Sequence, residues 1–176
     1  MIDVGRPRGE AERLDTLRSY AILDTPSEPE FDRIVCEAAI FLSTPIALIS
    51  LVDKDRQWFK AKIGLDATET PRSISFCTHA IKGSGVLVVA DASRDPRFST
   101  NPLVAGEPNL RFYAGAPLHA ADGLAIGTLC VIDLSPHLDF GERERAELER
   151  LAGKVMAVLE ARKLRALRDR EEEMAA

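Results

Sequence analysis

Apolar residues open the chain at helical spacing. Between Glu10 and Leu23 they fall at Leu14, Leu17, Tyr20, Ala21 and Ile22, and Asp24-Thr25-Pro26 breaks the run. Ser27, with Glu30 three residues later, makes a capping-box pattern. Phe31, Ile34, Val35, Ala38, Ala39 and Leu42 follow on one face, so the spacing predicts a second helix from about Glu28 to Leu42.

The period then changes. Residues 46–52 are almost continuously apolar, as in a strand covered on both faces. A polar turn, 53–56, leads into alternation over 57–63, with Phe59, Ala61 and Ile63 on one face and Trp58, Lys60 and Lys62 on the other. That is a hairpin. Residues 64–73 read as a polar connection, 75–82 as a short helix, and 86–90 as a third strand. Residues 91–106 read as loop. Alternation returns over 111–118, with Phe112, Ala114, Ala116 and Leu118 on one face, and an apolar strand follows over 124–132.

The C-terminal part is helical, with Leu148, Leu151, Val155 and Val158 spaced 3, 4 and 3. From Glu142 to Arg170 such a helix is about 43 Å long, more than one domain face needs. Strands joined by hairpins, with helices at both ends, predict an α+β fold. Its centre is an antiparallel sheet of five or six strands, with the terminal helices on one face. The expected organisation is an N-terminal helix and linker (1–26), a core (27–137) and a C-terminal helix that completes the domain (138–176).

Composition narrows the function classes. The 176 residues carry a net charge of −5, which argues against a nucleic-acid binder. No apolar run is long enough to span a membrane, and the N-terminus lacks the apolar core of a secretory signal. Three scattered cysteines, Cys36, Cys77 and Cys130, make a disulfide framework unexpected. A reducing cytoplasm is the expected location. Phosphate-loop, dinucleotide, serine-hydrolase and paired-histidine metal motifs are absent from the sequence.

Four segments carry a resemblance: RSISFCTHAI (72–81), VVADASRDPRFSTNPLV (88–104), LRFYAGAPL (110–118) and GLAIGTLCVIDLSP (123–136). In this order they resemble the GAF domain family, and most of all bacterial sensory modules found with histidine kinases of two-component systems or with diguanylate cyclases. The resemblance runs from about Arg13 to Leu164. It implies a GAF/PAS-like sheet with loops and a short helix enclosing a small-molecule pocket on the face away from the terminal helices. It places Phe59, Phe76, Cys77, His79, Asp91, Arg97, Phe98, Tyr113, Gly115 and Cys130 in the pocket wall.

The residues themselves leave several readings open. With Ser75 as N-cap, Cys77 falls in the first helical turn, where a thiolate is favoured; a small buried residue beside Phe76 is the plainer reading. His79 reads as a ligand partner or as a structural histidine. Two residues apart on a helix, Cys77 and His79 diverge and make a poor nucleophile–base pair. Asp91 or Ser93 suits the cap of a short turn. Arg97 suits either a bound anion or an ion pair with Asp91 or Asp95. Trp58 suits an edge, a dimer surface or packing under the terminal helices. Gly115, on the Tyr113 face of its strand, marks close approach of a ligand or of backbone.

The Cys-His pair that carries bilin in phytochrome-like members is interrupted by Thr78, so neither covalent bilin nor haem is expected, and the cofactor is left unnamed. The cyclic-nucleotide signature of the family is absent. No catalytic or metal site is assigned. The expected function is a sensory and regulatory module, not an enzyme, that takes an unknown small molecule and passes its state through the terminal helices of a homodimer. Two alternatives stand beside it: a cysteine-dependent methionine sulfoxide reductase-like enzyme and a ligand-free dimerisation module. If its helix-start position governs reactivity, Cys77 is expected to react faster than Cys36 or Cys130, both of which sit in periodic apolar elements and are expected to be shielded.

Overall fold

The computed structural model describes residues 9–176. Residues 1–8 of the expected N-terminal segment lie outside the described residues. Two helices open the fold, α1 (Glu10–Ser19) and α2 (Pro29–Leu42). Proline at the first position of α2 needs no N–H partner. The Ser27–Glu30 capping box does not form: Glu28 is the N-cap and has no side-chain cap bond. α2 stops at Ser43, which takes a left-handed conformation at φ 52.

Six strands form one antiparallel sheet: β1 (Ile46–Val52), β2 (Arg56–Ile63), β3 (Glu69–Pro71), β4 (Leu87–Val89), β5 (Phe112–His119) and β6 (Ala125–Asp133), in the order β3-β2-β1-β6-β5-β4. β3 lies within the segment read as connection. Its three residues carry no alternation, and its proline is tolerated on an edge strand. Two short helices, α3 (Cys77–Ala80) and α4 (Pro102–Ala105), precede the long α5 (Glu142–Ala175). α5 runs farther than its sequence stripe predicts.

The alternation reads out directly on β1, β5 and β6. Ala47, Ile49 and Leu51 join Phe112, Ala114, Ala116, Leu118, Leu129 and Val131 in a core beneath α1, α2 and α5. Helix residues Phe31, Ile34, Leu148, Leu151 and Val155 complete that layer, and all are buried. Trp58 packs there too, which settles its place among the readings above.

β2 departs from simple alternation. Ile49 pairs with Ala61 and Ser50 with Phe59, so Lys60 is the extra residue of a bulge. Phe59 therefore faces away from the helices while Ala61 joins the core beneath them; the expectation of a shared face is corrected. Lys60 turns toward the helices. Its fully buried ammonium pairs with Glu28 and donates to Thr25 Oγ1 at 2.9 Å.

The strand order dictates what covers the other face. β3 and β4 are consecutive in sequence but lie at opposite edges of the sheet. Residues 72–86 must therefore cross its whole width, and they carry α3 over β1, β5 and β6. The β4–β5 connection adds a short helical turn, Ala92–Arg94, and α4. Asn101 ties the two coverings together: it caps α4 through Leu103 N–H and donates to Ile74 O at 3.1 Å.

Candidate functional site

The loop-covered face holds a second buried cluster. Leu48 and Val52 of β1, Phe59 of β2, Val89 of β4, Tyr113 of β5 and Cys130 of β6 meet Phe76, Cys77 and Ala80 from the crossing segment and Phe98 and Val104 from the β4–β5 connection. The rings of Phe76 and Phe98 stack at 4.2 Å with 9° between planes, and Tyr113 lies 5.2 Å from Phe76. The side chains of this cluster pack directly on one another.

Gly115 shows why a glycine stands in the middle of β5. A Cβ built there collides with the phenol of Tyr113. The close approach is made by the ring two residues earlier in the same strand, which folds back over the glycine. That position lets Tyr113 Oη donate to Cys77 Sγ at 3.3 Å.

A polar strip runs through this apolar cluster. Thr128 Oγ1 donates to Cys77 Sγ at 3.1 Å. Gln57 Oε1 accepts from Ser50 Oγ at 3.1 Å and Ser75 Oγ at 2.8 Å, and its Nε2 donates to Thr70 Oγ1 at 2.6 Å. Ser50, Gln57, Ser75 and Thr128 are all buried. Buried polar groups cost stability unless bonded, and this strip bonds them to one another. The thiols belong to the same strip. The hydrogen bond from Cys130 lowers the Cys77 pKa, with help from Thr128 and Tyr113, against the opposing effect of burial. Cys130, the partner thiol, is pushed up by that same bond and by burial.

Seven predicted wall residues thus meet in one cluster: Phe59, Phe76, Cys77, Phe98, Tyr113, Gly115 and Cys130. His79, Asp91 and Arg97 lie at its outer surface. His79 is exposed on the far side of α3, with its ring edge-on to Phe98 at 4.8 Å. Burial first, then Lys82 and Arg97, lower its pKa. Asp91 caps the Ala92–Arg94 turn by accepting from Ser93 N–H at 3.1 Å. Arg97 grips Asp95 through Nε at 3.0 Å and Nη2 at 2.7 Å. Its guanidinium is already matched to a carboxylate of the protein.

The cysteine expectation is corrected. Cys36 is exposed, whereas Cys77 and Cys130 are buried. Cys36 falls on the outer side of α2, among residues whose apolar partners face inward. Sequence reasoning also passed over Ser50 and Gln57. Ser50 left a signal, a lone hydroxyl inside an apolar run. Gln57 is an ordinary residue at a strand start and left none. Among the described residues, no group of three or more His, Cys, Asp or Glu is placed to hold a metal ion. No described helix is long and apolar enough to cross a membrane.

These features define an α+β module with one helix-covered and one loop-covered face, and comparison with known proteins gives its family. The model of the GAF domain matches residues 27–159, so the chain belongs to the GAF domain family. It is 50% identical over 151 residues to a cyclic di-GMP phosphodiesterase of Pseudomonas aeruginosa, a match that covers 86% of this chain and 26% of that relative. The chain thus spans about a quarter of the relative's length. The GAF domain of an Acinetobacter phosphoenolpyruvate-protein phosphotransferase superposes with a TM-score of 0.62 at 22% identity, covering 88% of this chain and 95% of that one. A free methionine-R-sulfoxide reductase from Neisseria meningitidis gives 0.62 at 20% identity, covering 93% and 99%. At those identities the two structures share the fold. The half-identical relative is named as an enzyme, and this overturns the expectation that the chain is not an enzyme. The chain is a signalling GAF module.

Proposed function

We propose that this module serves a cyclic di-GMP phosphodiesterase. In this reading it takes a small molecule between the sheet and the α3–α4 covering, and hands the resulting state to α5. The observation that carries the reading is the polar strip sealed under short turns on the loop-covered face. Ligand sites of this kind set a few polar groups among many apolar ones. Half-identity to a relative named for cyclic di-GMP hydrolysis supports the choice of pathway.

A ligand shifts such a module only through unequal affinity for two states. Here the states are the covering packed on the sheet and the covering lifted from it. α5 is built to report the difference. It packs on β5, β6 and α2, then leaves the body with Leu164 and Leu167 exposed. These leucines suit a parallel pairing with a second copy, the homodimer expected from the length of the helix.

The test is a thermal-shift screen of the purified chain with nucleotides, amino acids and small carboxylic acids. At least one stabiliser is expected, and Gln57→Leu abolishes its shift. A complete screen without a shift overturns ligand binding. Sedimentation of the chain and of its L164E/L167E variant tests the pairing: a dimer that becomes a monomer is expected, and a monomer at high micromolar concentration contradicts it.

A further inference from the structure

Two thiols, Cys77 and Cys130, lie in the polar strip of the loop-covered face. Cys77 opens α3, and Cys130 sits mid-strand in β6, so the pair bridges the covering and the sheet. Hydroxyl groups of Thr128 and Tyr113 both donate to Cys77 Sγ, at 3.1 and 3.3 Å. Thr128 and Cys130 are two apart in β6 and share a face, and Cys130 is paired across the ladder with Gly115, the residue beneath the Tyr113 ring. Cys77 Sγ is therefore held above the strand position that carries the second thiol. Two donors on one sulfur is an arrangement for sulfur carrying negative charge. Neither cysteine is in a disulfide.

We propose that Cys77 and Cys130 form a reversible redox pair, oxidised by hydroperoxides to a disulfide that pins α3 to β6. The Cys77 thiolate attacks the terminal oxygen of hydrogen peroxide and the O–O bond breaks. The departing hydroxide takes a proton from solvent to become water, and Cys77 becomes a sulfenic acid. Cys130 sulfur then attacks Cys77 sulfur. An S–S bond forms, the S–O bond breaks, and the hydroxyl leaves as water with the proton of Cys130. Two thiols lose two electrons and two protons, and the peroxide is reduced to two waters.

Burial sets the rate of this reaction. Peroxide reaches Cys77 when the short α3 covering opens locally, a motion that needs no loss of the helix-covered core. Once formed, the disulfide crosses from covering to sheet and opposes that motion. Its effect on signalling rests on the function proposed above; its formation does not.

The experiment uses the full chain carrying Cys36→Ser, which removes the exposed thiol. After peroxide treatment, non-reducing peptide mapping by mass spectrometry is expected to show one Cys77–Cys130 linked peptide. The intact mass falls by about 2 Da, two hydrogens per disulfide, and dithiothreitol restores it. In a chain that also carries Cys130→Ser, Cys77 is expected to stop at the sulfenic acid and to be trapped by dimedone. Absence of the linked peptide under peroxide that fully oxidises Cys36 of the unsubstituted chain overturns the proposal. So does a linked peptide that forms only under denaturant. These readouts are masses, so failure here is distinct from failure of the ligand screen.

Discussion

Both faces of the sheet are buried, but they are differently made. On one face α2, 14 residues long, and the part of α5 from Leu148 to Leu159 lay apolar stripes on the strands. On the other, two four-residue helices and connecting turns do the covering. A long helix satisfies its own backbone and is held by many side chains at once. A short turn is held by a few bonds, such as Asn101 to Ile74 and Arg72 to Asp53 O at 3.0 Å. The helical face is also clasped by charge: Lys60 pairs with Glu28, and Arg162 of α5 pairs with the same carboxylate at 3.1 Å. The loop-covered face instead spends its polar groups on an internal strip beneath the covering. The lesson is that burial alone does not measure rigidity. The face with fewer continuous elements is therefore expected to open first, as the proposed sensing role requires.

The largest test of that contrast is deletion of one aromatic ring from each face. Phe31→Ala is expected to cost about 3–5 kcal/mol, the usual range for a buried Phe in a rigid core. Phe76→Ala is expected to cost about 2–3 kcal/mol, because the covering settles into the space. Urea unfolding of both variants measures the gap, and equal losses would break the contrast. Next comes the clasp. Glu28→Ala leaves the buried Lys60 ammonium with Thr25 and Pro26 as neutral partners. A loss of about 2 kcal/mol is expected, below the full cost of stranding a buried charge because those partners remain.

Much of the helical face was legible in the sequence. Alternation in β5 gave Phe112, Ala114, Ala116 and Leu118, and the Leu148–Leu151–Val155 stripe gave the face of α5, because both periods report burial on one side. The bulge at Lys60 was not legible. One extra residue changes which face Ala61 meets, and nothing in the residue types of β2 announces it. β3 escaped for a related reason: three residues on an edge are too few to show a period. The buried cluster of the loop-covered face was legible in its apolar members, since Phe76, Phe98 and Tyr113 fall on inserted segments or on a strand's second face. Its polar strip depends on which segments cross over which strands, and Ser50 and Ser75 meet at Gln57 only through that crossing.

Cysteine reactivity sharpens the comparison at the level of local motion. Cys36 is expected to alkylate within the dead time of manual mixing, as an exposed thiol does. Cys77 and Cys130 are expected to label orders of magnitude more slowly, yet faster than global unfolding allows, because α3 opens by itself. Timed labelling with peptide mapping gives both rates, and labelling of Cys77 limited by global unfolding would contradict an independently mobile covering. The smallest effect is electrostatic. His79 has its folded pKa lowered, by burial and then by Lys82 and Arg97. Its contribution to stability is therefore level above the ordinary imidazole value of 6.5 and falls as pH drops toward the folded value, where the unfolded chain takes up the proton first. His79→Gln is expected to flatten that part of the Tm–pH curve slightly, and an unchanged slope would remove His79 from the covering's electrostatics.

Native-state hydrogen exchange tests the central claim most directly, because it reads the opening energy of each segment within one sample. Amides of residues 79–83 and 104–106, which bond within the covering, are expected to exchange through local openings and to show far less protection than amides of α2 and of α5 from Leu148 to Leu159. Adding a stabiliser found by thermal shift is expected to raise protection in the covering first. Equal protection on the two faces, changing together with denaturant, would contradict the account.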